Sequence, residues 1–147
     1  IRRGSVTVEE VSEAGSVPEL AAQNVGDRPV VFLAGEQLVG AKQNRIMNTS
    51  ELIAAHTKSK IPVSCVEAGR WGYKSRCFDS SGAHSPAMLR RVLKASVSRS
   101  MCERRRHRSD QGEMWDEVAR QQIALGAVSG TSAMSDTFET QTDAAGV

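Results

Sequence analysis

Alternating hydrophobic and polar positions mark the first half of the chain as strand-rich. Val6, Val8 and Val11 predict an opening strand, and the turn-forming residues 14–18 end it. Further strands are predicted at 20–25, 30–33, 37–39, 45–55 and 61–66. Short strands separated by turn signals at this spacing indicate an antiparallel sheet, either a sandwich or a partial barrel.

Turn-forming residues predict how some of these strands connect. The sequence Gly-Asp-Arg-Pro at 26–29 lies between the second and third strands, so we expect those two strands to pair as a hairpin. Gly35 and Gly40 flank the next strand, and we expect the backbone to turn sharply at both.

The stretch 45–55 fits two structures. Asn48 and Glu51 have the spacing of a capping box, which would begin a helix. The polar turn expected at 56–60 and the alternation at 61–66 favour a strand instead, and we predict a strand.

The hydrophobic period lengthens in the second half of the chain, which predicts helices. Ser85 followed by Pro86 is expected to begin the first helix, with the hydroxyl as its cap. Its apolar stripe contains Met88, Leu89, Val92, Leu93 and Val97. A loop rich in arginine follows at 103–108.

A second helix is predicted to begin at Ser109 or Asp110, because Glu113 completes a capping box with Asp110. Gly126 is expected to end this helix, and a last short helix is predicted at 131–138. The buried side of the second helix is predicted to contain Met114, Trp115, Val118 and Leu125.

These patterns predict an α+β fold in which an N-terminal antiparallel β-sheet precedes a C-terminal layer of two to three helices. The length of 147 residues matches a single domain with one core, and an aromatic content of 4% makes that core aliphatic. We expect a β-rich part at 1–73, a helical part at 84–139 and a frayed tail at 140–147.

Several classes of protein do not fit the composition. The longest apolar run, 30–34, is far shorter than the about 18 residues of a membrane span, so a soluble protein with no membrane partner is expected. The chain opens at Ile1 with no signal region, so export is not expected. Three widely spaced cysteines favour a reducing, cytoplasmic setting. Neither the cysteines nor the three histidines have metal-ligand spacing, and we predict no metal and no cofactor.

A net charge of +2 conceals a strong asymmetry along the chain. Residues 70–108 carry 11 basic and 2 acidic side chains, whereas residues 109–147 carry 1 basic and 7 acidic side chains. We therefore expect the two helices to dock through their charges. The pairs expected join Asp110, Asp116 or Glu117 to Arg90, Arg91 or Lys94.

One polar cluster lies around the two glycine turns. Its members are Glu36, Lys42, Gln43, Asn44, Arg45 and Asn48. Lysine and arginine supply positive charge to an anion, amides supply donors and acceptors, and neighbouring glycines let backbone amides approach a phosphate or carboxylate. The alternative is an exposed hairpin turn with solvated ends.

A second polar cluster follows the strand at 61–66. Arg70, Trp71 and Tyr73 combine a guanidinium with flat aromatic surfaces, which suits stacking on a nucleobase or a sugar. In the alternative, Trp71 packs beneath the first helix and Arg70 forms an ordinary ion pair. Cys65 fits an inert core cysteine better than a nucleophile.

The chain resembles a bacterial and archaeal family in the strings GEQLVGAKQNR (35–45), NTS (48–50), IPVSCVE (61–67) and GRW (69–71), and again in SDQG (109–112) and at Trp115. The family is the domain named for its association with ADP-ribosylglycohydrolase and rhodanese-phosphatase proteins. The resemblance covers nearly the whole chain. It implies a context of ADP-ribose or nucleotide metabolism and leaves the chemistry open.

The leading hypothesis is a small cytoplasmic domain that binds an anionic ligand similar to a nucleotide or ADP-ribose, with catalysis left open. Both clusters are expected to form one anion site, in which Arg45 faces solvent. The expected roles are anion binding by Lys42, Arg45 and Arg70, orientation by Gln43, Asn44 and Asn48, stacking by Trp71 or Tyr73, and ribose binding or acid–base catalysis by Glu36 or Glu67.

Two alternatives come from other classes of protein. In the first, the polar strings are buried networks of a non-catalytic interaction or assembly domain, and the helices meet a second copy of the chain. In the second, the basic segment 90–108 binds nucleic acid. That segment contains no aromatic residue and no recognised motif, so nucleic acid is not the expected partner.

Overall fold

The computed structural model describes residues 4–137, which form eight strands followed by two long helices. The strands are β1 (Val6–Glu10), β2 (Glu19–Asn24), β3 (Val30–Phe32), β4 (Glu36–Gly40), β5 (Arg45–Met47), β6 (Glu51–Ile53), β7 (Thr57–Cys65) and β8 (Cys77–His84). The helices are α1 (Ala87–Arg104) and α2 (Gln111–Leu125), and 134–137 form a further helical turn. The α+β prediction is confirmed.

Six strands close into an antiparallel barrel in the order β1-β2-β7-β5-β4-β8. The pairing of Val8 with Phe78 joins β1 to β8 and completes the ring. The structure therefore has a barrel rather than a sandwich, and the barrel is closed where a partial one was predicted. Closure removes the free edges that an open sheet would leave.

The barrel wall separates two hydrophobic clusters, where the composition suggested one core. Met47 of β5 packs with Val8, Leu38 and Phe78 inside the barrel. Its neighbour Ile46 packs on the outer side against the helices, because successive strand residues point to opposite faces. The outer cluster consists of Ile46, Val66, Leu89, Leu93, Val97, Met114, Val118 and Met134.

The predicted hairpin between 20–25 and 30–33 is wrong. Both edges of β2 are occupied, by β1 and by β7, so β3 pairs with β6 in a separate two-stranded sheet. The side-chain amide of Asn24 donates hydrogen bonds to the backbone carbonyls of Arg28, Ile53 and Ala54. These bonds hold the 26–29 turn against the end of β6.

The stretch 45–55 contains strands, as predicted, but it is divided into β5 and β6. The turn predicted at 56–60 is wrong, since the chain turns at His56 (φ 54°) and β7 starts at Thr57. The polar residues 57–60 belong to the strand because they pair with 21–24 of β2, on a side of the barrel that faces solvent.

Strand β8 was not predicted from the sequence. Its residues CFDSSGAH contain a single buried hydrophobic side chain, Phe78, and no sustained alternation. It forms a strand because β1 and β4 offer it backbone partners on both sides. The sheet therefore extends beyond the predicted β-rich part at 1–73.

Helix α1 buries Leu89, Leu93 and Val97 as predicted, but Met88 is exposed. Ser85 does not cap the helix: Pro86 occupies the cap position without a side-chain hydrogen bond. The helix continues to Arg104 into the segment predicted as a loop.

Helix α2 begins and ends as predicted. The carboxylate of Asp110 accepts a hydrogen bond from the Glu113 amide, and Gly126 ends the helix in the left-handed conformation (φ 63°). Trp115 and Leu125 are wrongly predicted as buried, with exposed fractions of 38% and 45%. The end of the last predicted helix and the tail at 140–147 lie outside the described residues.

The helices form an ion pair, but between other residues than predicted. Arg99 of α1 contacts the Glu113 carboxylate of α2 through Nη2 at 2.5 Å. Within residues 4–137, no ion pair joins Arg90, Arg91 or Lys94 to an acid of α2. Arg91 and Lys94 are exposed, on a side of α1 that α2 does not cover. Over the same residues, no helix is both long and apolar enough to cross a membrane.

The Asp110 cap gives a first prediction. Changing Asp110 to alanine should lower the free energy of unfolding by about 1 kcal/mol, because a backbone N–H of the first turn loses its acceptor. Urea denaturation measures the loss. Asp116→Ala removes the same charge from an exposed position in the middle of α2 and is the control. Equal losses in the two variants would contradict a role for the cap.

Candidate functional site

The two polar strings meet at one end of the barrel. The turn between β4 and β5 carries Lys42, Gln43 and Asn44, and the segment after β7 carries Glu67 and Arg70. Arg70 donates hydrogen bonds to the carbonyls of Gly40 and Ala41 in that turn. The predicted convergence of the two strings is therefore present, but their members divide into two groups with different surroundings.

The first group, the Arg70 network, consists of Asn44, Glu67, Arg70 and Thr131. Arg70 forms a two-pronged ion pair with Glu67, with Nε–Oε1 and Nη2–Oε2 distances of 3.0 and 2.8 Å. Glu67 also accepts hydrogen bonds from the backbone N–H of Asn44 (3.0 Å) and from the Thr131 hydroxyl (2.9 Å). The Arg70 guanidinium is thus engaged within the protein rather than presented to a ligand.

The same contacts set the ionisation of Glu67. Burial alone would raise the pKa of this carboxyl. The hydrogen bonds from Arg70, from the backbone N–H of Asn44 and from Thr131 outweigh burial and hold the pKa below its usual range. Glu67 is therefore ionised at neutral pH and has no proton to donate. Its surroundings favour a structural role over the predicted acid–base role.

The second group, the Arg45 cluster, consists of Glu10, Lys42, Gln43, Arg45 and Trp71. Arg45 is fully buried, which contradicts the expectation that it faces solvent. It lies on the same face of β5 as Met47, so its guanidinium enters the end of the barrel. Burial is the main reason that its pKa lies below the usual value.

The buried guanidinium of Arg45 is only partly satisfied. Nη1 donates to Gln43 Oε1 at 2.8 Å, and Nη2 lies 3.9 Å from Glu10 Oε1. Nε and Nη2 have no hydrogen-bond partner, and neither has Oε2 of Glu10. Buried polar groups are nearly always hydrogen-bonded, so three such atoms in one place are unusual.

Aromatic rings and a lysine cover this buried pair. The Lys42 ammonium lies 5.1 Å from the ring centroids of both Trp71 and Tyr73, and Arg45 Cζ lies 5.8 Å from the Trp71 centroid. Trp71 is 49% exposed, so it does not pack beneath α1. A Cβ added at Gly15 would lie 3.2–3.3 Å from side-chain atoms of Trp71, Glu10 and Lys42, so the β1–β2 loop packs against the same side chains.

Cys65 pairs with Arg45 across the neighbouring strands. Its thiol is buried and donates to Gln43 Oε1 at 3.1 Å. Burial raises the pKa of this thiol more than the Glu67 amide and Arg45 lower it. The protonated thiol fits the inert core cysteine expected from the sequence.

Two predicted site residues lie elsewhere. Glu36 accepts hydrogen bonds from the Leu33 amide and the Ser80 hydroxyl, near the start of β4. Asn48 donates to the carbonyls of Val63 and His107, beside the connection between the helices. Neither contacts the Arg45 cluster or the Arg70 network. Among residues 4–137, no group of three His, Cys, Asp or Glu side chains could hold a metal ion.

Sequence reasoning missed Glu10 and Gly15. Glu10 lies on the same face of the opening strand as Val6 and Val8, because every second residue of a strand points to the same side. Alternation alone therefore placed the Glu10 side chain on the buried face. A carboxylate on the buried face of a strand was the available signal. Gly15 was interpreted only as part of a turn, and nothing in the local sequence indicated that Trp71 would lie beside it.

Comparison of the chain with known proteins gives one finding. Neither the curated proteins nor the solved structures contain a match to it. A family model does match, over residues 1–146, which is nearly the whole chain. The chain belongs to the family of the ARG and Rhodanese-Phosphatase-superfamily-associated Protein domain.

Proposed function

We propose that the Arg45 cluster binds a small anionic ligand of the nucleotide or ADP-ribose kind. The observation that carries the proposal is the buried guanidinium of Arg45, whose Nε and Nη2 have no hydrogen-bond partner. Burying a charged group that is only partly hydrogen-bonded costs free energy, and such groups are found more often at functional sites. A phosphate or carboxylate that displaces the covering Lys42 and Trp71 side chains would accept from both nitrogens in the two-pronged geometry that arginine favours.

The neighbours of Arg45 define the rest of the ligand. Oε2 of Glu10, also without a partner, can accept a hydrogen bond from a ligand hydroxyl such as that of a ribose. Trp71 and Tyr73 are half exposed and offer flat faces to a base. Lys42 adds a second positive charge between the two rings. An anion, a hydroxyl and a ring together match a nucleotide better than an inorganic ion.

The proposal is for binding rather than hydrolysis. Glycosidic hydrolysis commonly uses two carboxylates on opposite sides of the bond that breaks. Glu10 is the one carboxylate of the Arg45 cluster among the described residues, since Glu67 is held by Arg70 and Glu36 lies near the start of β4. The name of the family supports an association with ARG proteins but specifies no reaction.

Titration calorimetry tests the proposal with ADP-ribose, AMP, ribose 5-phosphate and uncharged adenosine. We expect ADP-ribose and AMP to bind and adenosine not to bind. Arg45→Lys keeps a positive charge beside Glu10 but loses the fork, and it should weaken binding by about 10- to 150-fold, equivalent to 1.5–3 kcal/mol. Quenching of Trp71 fluorescence on binding, measured with Trp115 replaced by phenylalanine, would indicate that the ligand lies at the cluster.

Matched lysine variants supply the control. Lys42→Met removes a charge at the Arg45 cluster, whereas Lys60→Met removes one from an exposed lysine that pairs with Glu19. Only the first should weaken binding, by about tenfold. If no compound binds, and Arg45→Lys lowers only the melting temperature, the result would favour the alternative in which the polar strings are a buried structural network.

A further inference from the structure

A second group of positive charges lies around the connection between α1 and α2. Four arginines line a cleft of about 200 Å³ there: Arg99, Arg104, Arg106 and Arg108. Arg104, Arg106 and Arg108 are exposed and form no ion pair with any residue of the described 4–137. The cleft shares no residue with the Arg45 cluster.

The acidic groups of this cleft do not neutralise it. Asp110 and Glu103 are the two carboxylates in its lining. The Asp110 carboxylate already accepts a hydrogen bond from the Glu113 amide as the cap of α2. Arg99 is held by Glu113, which lies outside the lining. Three unpaired arginines therefore face one carboxylate that has no fixed partner, Glu103.

We propose that this cleft binds a phosphate monoester. Its volume is below the roughly 300–1,000 Å³ of pockets that enclose a whole small-molecule ligand, so it suits a single charged group. A phosphate monoester carries close to two negative charges and three acceptor oxygens at neutral pH, which matches several arginine forks better than a carboxylate does. The N-terminal end of α2, at the lining residue Asp110, adds partial positive charge.

A second cleft shows where the remainder of such a ligand could lie. Arg106 and Arg108 also line a cavity of about 620 Å³, together with Pro18, Ile61 and Pro62. The ridge formed by 106–108 thus has a small basic cleft on one side and a larger, partly apolar one on the other. A phosphate held in the first cleft can be attached to a peptide or to a small metabolite that extends over the ridge.

The test is titration calorimetry with phosphoserine, a phosphoserine-containing peptide and glucose 6-phosphate. We expect at least one of these monoesters to bind. Tighter binding of the phosphopeptide than of glucose 6-phosphate would indicate a phosphorylated protein as the ligand, and the reverse order would indicate a phosphorylated metabolite. The double variant Arg106→Gln/Arg108→Gln should weaken binding at least about tenfold. Arg91→Gln/Lys94→Gln removes two exposed charges of α1 outside the cleft and should leave binding unchanged. Circular dichroism and melting curves check that all variants fold.

Three results would overturn this proposal. One is the absence of binding by every monoester at millimolar concentration, and another is an equal loss in both double variants, which would mean diffuse charge attraction. The third is tighter binding of an oligonucleotide that lacks terminal phosphates, lost in the same Arg106/Arg108 variant, which would make the ridge a phosphodiester surface. Arg45→Lys should leave the binding of phosphoserine and glucose 6-phosphate intact. Arg106→Gln/Arg108→Gln should leave the binding of ADP-ribose intact, because its diphosphate bridges two riboses and is not a monoester. Failure of either proposed site can therefore be distinguished from failure of the other.

Discussion

Replacing Arg70 with methionine should lower the free energy of unfolding by about 3–5 kcal/mol. The change removes both prongs of the ion pair with Glu67 and leaves that buried carboxylate without its main partner. It also removes the donors to the carbonyls of Gly40 and Ala41, so the β4–β5 turn loses its connection to the segment after β7. Desolvation of an unpaired charge is the largest part of the loss.

Urea denaturation of three variants separates this effect from a general effect of losing an arginine. Arg76→Met removes an exposed arginine a few residues further along and should change stability by less than about 0.5 kcal/mol. Arg70→Met/Glu67→Gln removes both charges and should recover part of the loss, because an amide costs less to bury than a lone carboxylate. A loss below about 1 kcal/mol in Arg70→Met would mean that the network contributes little to stability.

The sequence predicted the local elements of the fold better than their arrangement. Alternating positions located the strands from β1 to β7 approximately, and the Asp110–Glu113 spacing located the start of α2. The pairing of β3 with β6 was not predictable in this way, because a hairpin is the default when two strands flank a short turn. That hairpin is excluded because both edges of β2 are occupied, one by the preceding strand β1 and the other by β7, which lies far along the sequence.

The candidate site shows a similar division. Local residue types identified the two strings that converge, but they did not separate the engaged Arg70 from the partly unsatisfied Arg45. Arginine is rarely buried, so a sequence argument places Arg45 outside. The structure places it inside because β5 is buried on both faces, by the barrel on one and the helices on the other. This property belongs to the assembled fold and leaves no local signal.

The turn that carries Lys42 and Gln43 depends on a glycine. Gly40 has φ +126°, a conformation that other residues rarely adopt, and an added Cβ would lie 2.7 Å from the carbonyl oxygen of Cys77. That oxygen belongs to the backbone of β8, so it cannot move aside as a flexible side chain would. Gly40→Ala should therefore lower the free energy of unfolding by about 2–5 kcal/mol, from backbone strain and from overpacking together.

Gly72→Ala provides a matched comparison for this prediction. Apart from Gly72 and its two chain neighbours, no atom lies within 4 Å of the Cβ that would be added, and φ at Gly72 is outside the left-handed range. The stability should therefore change by less than about 1 kcal/mol. Thermal unfolding followed by circular dichroism measures both variants. Equal melting temperatures would contradict the constraint at Gly40. If the prediction holds, Gly40→Ala made together with Trp115→Phe should also shift the emission of Trp71, because the turn places Lys42 against that ring. A change in stability without that shift would mean that the turn and the ring are positioned independently.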